Sequence, residues 1–138
     1  MELSTNIPTE RIFDLLTGAF EGGSNYWCKM EDDKQDAEYL NRLPDYLIGG
    51  AKNPKAGCQS PYILMAWDHS IVLTEIDEGH LPNGDVDHIL NREKIEAGMK
   101  MMQETCPHHF NDFMAENDDA WTSDCLLQLA LLQEYRYG

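Results

Sequence analysis

The stretch richest in chemistry is Gly22-Gly23-Ser24-Asn25-Tyr26-Trp27. Glycine lets backbone N–H groups approach a ligand closely, the two rings can stack on a planar base, and serine and asparagine can bond its edge. Lys29 just beyond, and Arg92 far along the chain, are cations that could face phosphate. Ser24, Asn25, Tyr26, Trp27, Lys29 and Arg92 therefore form the expected ligand-binding set. The bland alternative is a double-glycine helix stop followed by an aromatic pair that seals the core.

Two further clusters invite chemistry and fall short of it. Asn117-Asp118-Asp119-Ala120-Trp121-Thr122-Ser123-Asp124 gathers polar groups at the start of an apolar helix. Helix capping accounts for Thr122, Ser123 and Asp124 there, and three nearby carboxylates oppose an anion. Cys106-Pro107-His108-His109 has the residue types of a metal site, but zinc takes about four ligands and no second half follows. No local signature joins a cysteine to a base, and Gly22-Gly23 follows a helix, the wrong context for a phosphate loop. The expectation is no catalytic residue, no metal and no cofactor.

The strongest compositional signal is charge: 25 Asp and Glu against 10 Lys and Arg, a net charge of −15. Such a field repels nucleic-acid backbone and anionic lipid and attracts basic protein surfaces; it also keeps a small protein in solution. No direct binding to nucleic-acid backbone and no membrane contact are expected. At 138 residues with 42 % hydrophobic content, the chain suits one domain with a real core. Its longest apolar run, Cys125–Leu127 then Leu129–Leu132, is far short of the ~18–20 residues that span a bilayer. The opening residues lack the basic and apolar regions of a signal peptide, so a cytoplasmic location is expected, with Cys28, Cys58, Cys106 and Cys125 as reduced thiols.

The elements that must position these groups follow from periodicity. Ile12, Leu15, Leu16, Ala19 and Phe20 share a helical face over about residues 7–21, with Asn6 or Thr9 as cap and Gly22-Gly23 as stop. Residues 37–48 could form an irregular helix broken at Pro44, and the Gly-, Pro- and Lys-rich stretch that follows, with Lys52 and Lys55, reads as a loop. Residues 62–67 and 71–76 read as the two strands of a hairpin, and 77–87 as a loop turning at Pro82-Asn83-Gly84. Asn91 caps a helix that carries Ile95, Met99, Met102 and Cys106 on one face and closes at Pro107. A short helix over 109–116 and a last one over 121–134, apolar almost all round, complete the chain. The expected fold is one α+β domain over 1–138: a small antiparallel sheet against three or four helices, the last one buried. A helix apolar on every side wants more cover than a short sheet offers, so a homo-oligomer is expected.

Two long stretches carry a resemblance. Thr17-Gly-Ala-Phe-Glu-Gly-Gly-Ser-Asn-Tyr-Trp-Cys28 resembles the T-A-x-E-G-G-S-N-Y-W segment of a family of small uncharacterised phage and prophage proteins. Residues 116–138 are similar to that family's closing N-x-D-A-x-T-A-D-x-x-L-Q-x-A-L-F-G-E-x-x-Y-G, and Ile95-Glu-Ala-Gly98 to its K-x-x-x-G helix. The chain departs at Trp121, Ser123 and Leu132-Gln133. The resemblance implies phage origin and supplies no reaction. Small acidic phage domains without enzyme motifs commonly act by binding, often against host defences. The leading expectation is a counter-defence protein in the host cytoplasm that sequesters a nucleotide-derived immune signal without catalysis. Tyr26 and Trp27 would stack on the base, and Lys29 or Arg92 would meet phosphate. The alternative is an acidic, DNA-mimic inhibitor of a host CRISPR or restriction complex; a third is an enzyme that degrades or modifies a signal or host factor.

Overall fold

The computed structural model describes residues 7–42, 61–76 and 78–138. The expected Asn6 cap, the break at Pro44, the loop bearing Lys52 and Lys55, and Cys58 lie outside the described residues. Along the described chain come α1 (Thr9–Gly18), a π-turn (Ala19–Gly23), β1 (Cys28–Lys29), a 3-10 turn (Asp32–Lys34), α2 (Ala37–Asn41) and α3 (Pro61–Asp68). Then follow β2 (Ile71–Glu75), β3 (Val86–Leu90), α4 (Arg92–Thr105), α5 (Pro107–Met114) and α6 (Ala120–Leu132). The strands form one antiparallel sheet in the order β1-β2-β3, so the fold is α+β with a small sheet and a buried last helix.

The sheet is not built from the expected hairpin. Residues 62–67 lie within α3 and are helical, and β2 pairs instead with β3, Ile71 opposite Leu90 and Glu75 opposite Val86. Its other neighbour is the two-residue β1. A short unbroken apolar run is equally legible as a buried helix or a buried strand. What tips it is composition: Pro61 starts the segment where proline's missing N–H costs nothing, and Leu64, Met65 and Ala66 are good helix formers. Ile63, Leu64, Met65 and Ala66 are all buried, as a helix sunk in a core requires. The β-branched run falls one segment later, in β2.

α6 is the axis of the molecule. Every residue from Thr122 to Leu132 is buried, and the helix is covered by α1, the π-turn, α4, α5 and β3 of the same chain. The apolar girdle that suggested a partner copy is thus covered within one chain. Its closest neighbour is α4, where Gly98 makes the approach possible: a Cβ there would sit 2.8 Å from the Cα of Ala130. Asn91 caps α4 as expected, its side chain accepting from the Lys94 N–H. α6 begins one residue earlier than expected and is capped by Asp119 instead of Thr122 or Ser123. The Asp119 carboxylate accepts from the Thr122 N–H at 3.1 Å while the Thr122 hydroxyl accepts from the Asp119 N–H. Burial opposes the resulting drop in Asp119 pKa, and that backbone hydrogen bond, the largest influence, wins and keeps the group ionised. At the far end Gln133 adopts a left-handed conformation with φ 60, which turns the chain back over the helix.

Candidate binding site

The expected ligand-binding residues separate into an inner and an outer group. α1 runs into the π-turn, and Gly22, with φ 155, ends it in a conformation that side chains rarely adopt. The tight turn that follows drives Ser24 and Trp27 inward, at 2 % and 1 % exposure. Both meet Asp124 of α6: the Ser24 hydroxyl donates to Oδ1 at 2.8 Å and the Trp27 indole N–H to the same oxygen at 2.7 Å. Tyr26 donates to Oδ2 from the other side, and the Gln128 amide reaches Oδ2 at 3.0 Å. Asp124, itself 0 % exposed, is the hub that joins the Gly22–Trp27 segment to α6. The indole of Trp27 is already stacked, at 5.5 Å and 14°, on Tyr137. Trp27 and Ser24 are therefore parts of the polar core.

The two expected phosphate-binding cations are engaged elsewhere. Lys29 stands between Glu31 at 3.3 Å and Asp85 at 3.4 Å, and hydrogen bonds to these carboxylates raise its pKa. Arg92 pairs with Glu96 at 2.9 Å and lies over the Trp67 ring at 4.5 Å. Asn25 and Lys29 do line one recess, with Phe20 and Met30, but its volume is about 40 Å³. Small-molecule sites occupy about 300–1,000 Å³, so this recess is too small for a base.

The larger opening lies on the other side of Tyr26. Gly22, Gly23, Tyr26, Ala120 and Trp121 line an open cleft of about 320 Å³. Trp121 is 56 % exposed, Tyr26 47 % and Tyr135 38 %, three of the large apolar side chains that face solvent. They gather around Gly138, where a Cβ would lie 3.3 Å from the Tyr26 hydroxyl, 3.4 Å from that of Tyr135 and 3.5 Å from the Trp121 ring. Scattered exposed aromatics are unremarkable, whereas a cluster of them marks an interaction surface. Sequence reasoning placed Trp121 in a capping stretch and missed its place in the cleft. Its position opposite the double glycine is a tertiary fact, set by the packing of the Gly23 backbone against Ala120.

Acidic groups lie close to this cleft and to Tyr135 beside it. Burial first, then the hydrogen bond and charge of Asp124, pushes the Tyr26 phenol well above its ordinary pKa. Burial, followed by the thiols of Cys125 and Cys106 and the carboxylates of Asp124 and Asp119, raises Tyr135 as well. Exposed rings next to carboxylates suit a cation, which gains from the ring faces.

A second buried carboxylate anchors the neighbouring surface. Glu75 at the end of β2 is 1 % exposed and takes His88 at 2.9 Å, Arg136 at 2.6 Å and the Tyr137 hydroxyl. Burial alone would raise its pKa; the hydrogen bonds from Tyr137, His88 and Arg136 outweigh burial and hold it below the ordinary glutamate value. The Cys106, His108 and His109 cluster takes no metal geometry: among the described residues no group of three or more His, Cys, Asp or Glu is placed to hold an ion. Among the same residues no helix is long and apolar enough to cross a membrane. No family model, no curated protein and no solved structure matches this chain.

Proposed function

We propose that this chain is a non-catalytic, acidic binding protein that docks on a basic partner surface, taking an arginine or lysine side chain into the cleft of Tyr26 and Trp121. The observation that carries the reading is the pairing of exposed rings with the negative potential of Asp124 and Asp119. A cation over tryptophan or tyrosine gains about 0.5–2 kcal/mol, and the −15 chain draws a basic surface from a distance. If the phage resemblance holds, the partner is the nucleic-acid channel of a CRISPR or restriction complex in the host cytoplasm.

A second reading is sequestration of a nucleotide-derived immune signal. The cleft volume favours it, and Trp121 would replace Trp27 as the partner of Tyr26 in holding a base. Against it, no cation among the described residues lines the cleft, so a phosphate would meet nearby carboxylates unaided. Degradation or modification of such a signal is the third reading. Among the described residues Tyr26 is the cleft's only ionisable lining group, and its hydroxyl is already held by Asp124, which leaves this reading without a reacting group there.

Calorimetry with an arginine-rich peptide and with a panel of cyclic dinucleotides and ADP-ribose derivatives separates the readings. The peptide is expected to bind, to weaken at least tenfold between low and physiological salt, and to lose binding in Trp121→Ala. Nucleotide binding with a silent peptide would reverse the ranking, and loss of ligand mass would make the protein an enzyme.

A further inference from the structure

The left-handed turn at Gln133 sends residues 134–138 back across α6 as a strap, and the strap is held as a bound peptide would be. The Gln128 side chain accepts the backbone N–H groups of Arg136 at 2.8 Å and Tyr137 at 2.7 Å, and donates to the Tyr137 carbonyl at 3.0 Å. One buried amide thus reads the backbone of two consecutive residues. Glu75 reads their side chains, taking the guanidinium and the phenol on the same oxygen. Trp27 stacks on the Tyr137 ring, and His80 meets its hydroxyl at 2.9 Å. Lifting the strap would open a groove floored by Trp27, Gln128 and Glu75, each at most 1 % exposed with the strap in place.

We propose that this groove is a docking site for an extended segment of a basic partner in which an arginine is followed by an aromatic residue, and that the strap is its internal stand-in. The proposal rests on the basic-partner reading above and names the partner's chemistry. The specificity comes from Glu75. With the strap lifted, Glu75 keeps only His88 among its described partners, and an occupant that brings a cation and a hydrogen-bond donor replaces what the strap supplied. A second copy would offer the same strap, but it also brings a second charge of −15, whereas a basic segment is drawn in. A tethered strap competes as if present at about millimolar concentration. The partner therefore needs further contacts, and the aromatic cleft lies beside the groove: a Cβ on Gly138 of the strap would meet Tyr26, Tyr135 and Trp121.

The test empties the groove in the full-length chain with the double substitution Arg136→Ala and Tyr137→Ala, and offers it acetyl-Tyr-Arg-Tyr-Gly-amide. Millimolar peptide is expected to raise the Tm of the double variant by several degrees. The same peptide with alanine for arginine should not, and the wild type should not respond. No shift, or equal shifts with both peptides, would overturn the proposal. Should the double variant fail to fold, hydrogen exchange on the wild type decides: the amides of Arg136 and Tyr137 should exchange at least tenfold faster than those of Leu129 to Leu131. Equal rates would mean that the strap opens only on global unfolding, and the proposal fails. A dimer that grows with concentration and vanishes in the double variant would assign the groove to a second copy and overturn the choice of partner. If Trp121→Ala abolishes capture of the arginine-rich peptide while the strap tests fail, the basic-partner reading stands and the groove alone is lost. Capture indifferent to salt would remove the reading beneath both.

Discussion

Asp124 and Glu75 are both carboxylates sealed from solvent, and the molecule satisfies them in opposite ways. Asp124 is surrounded by neutral donors: a serine hydroxyl, a tyrosine hydroxyl, an indole N–H and an amide. Glu75 is met by a guanidinium, an imidazole and a phenol, two of them on the strap. The first arrangement joins segments separated by about a hundred positions through short-range hydrogen bonds and belongs to the fold. The second depends on a charge whose side chain is 36 % exposed, on a segment that runs over the surface. A buried carboxylate held only by neutral groups, most of them buried, is a structural joint. One held by a surface cation can exchange that cation for another.

Substitutions can break this contrast. The largest expected effect is at the joint: Asp124→Ala strips an acceptor from four donors, three of them buried, and should cost about 4 kcal/mol in denaturant unfolding. Asp124→Asn keeps one acceptor oxygen and should cost about half as much. A loss below about 1 kcal/mol for the alanine variant would show that the hub does not hold the Gly22–Trp27 segment to α6.

Glu75→Gln should cost about 2 kcal/mol at neutral pH, the range for a hydrogen bond to a charged group. Its pH dependence carries the sign. Because the folded pKa is lowered, the stability Glu75 contributes is fully present above its ordinary value of 4.5 and is lost as pH falls through the folded value. Wild type and variant melting curves should therefore converge on acidification below that point. His88 and Arg136, which face Glu75, are retained in both proteins, so the comparison isolates the carboxylate. A gap that stays constant to low pH would mean that Glu75 is not held as a carboxylate.

The smallest effect is expected at Trp121. With 56 % of its surface already in water, Trp121→Ala should stay within about 0.5 kcal/mol of wild type while losing the arginine-rich peptide. Stability and binding should thus separate cleanly at the cleft and not at the hub.

Much of the fold was legible because local chemistry decides it. The Asn91 cap, the amphipathic faces of α1 and α4, the double-glycine stop and the apolar girdle of α6 all read directly from residue type and spacing. Residues 62–67 did not, since a short apolar run buried on all sides loses the periodicity that separates helix from strand. The site was half legible. Gly22–Trp27 stood out as the stretch with unusual chemistry, and it holds the hub; which of its two rings faces solvent was beyond reach.

The sequence by itself determined an acidic α+β chain with a buried last helix and a chemically dense turn after its first helix, since composition, capping and periodicity are properties of neighbouring residues. Only the tertiary structure decided that Trp27 turns in and Tyr26 out, that Asp124 receives both, and that Trp121 stands beside them. Those choices rest on hydrogen bonds between residues about a hundred positions apart, and a buried donor bonds whichever acceptor packing brings within 3 Å.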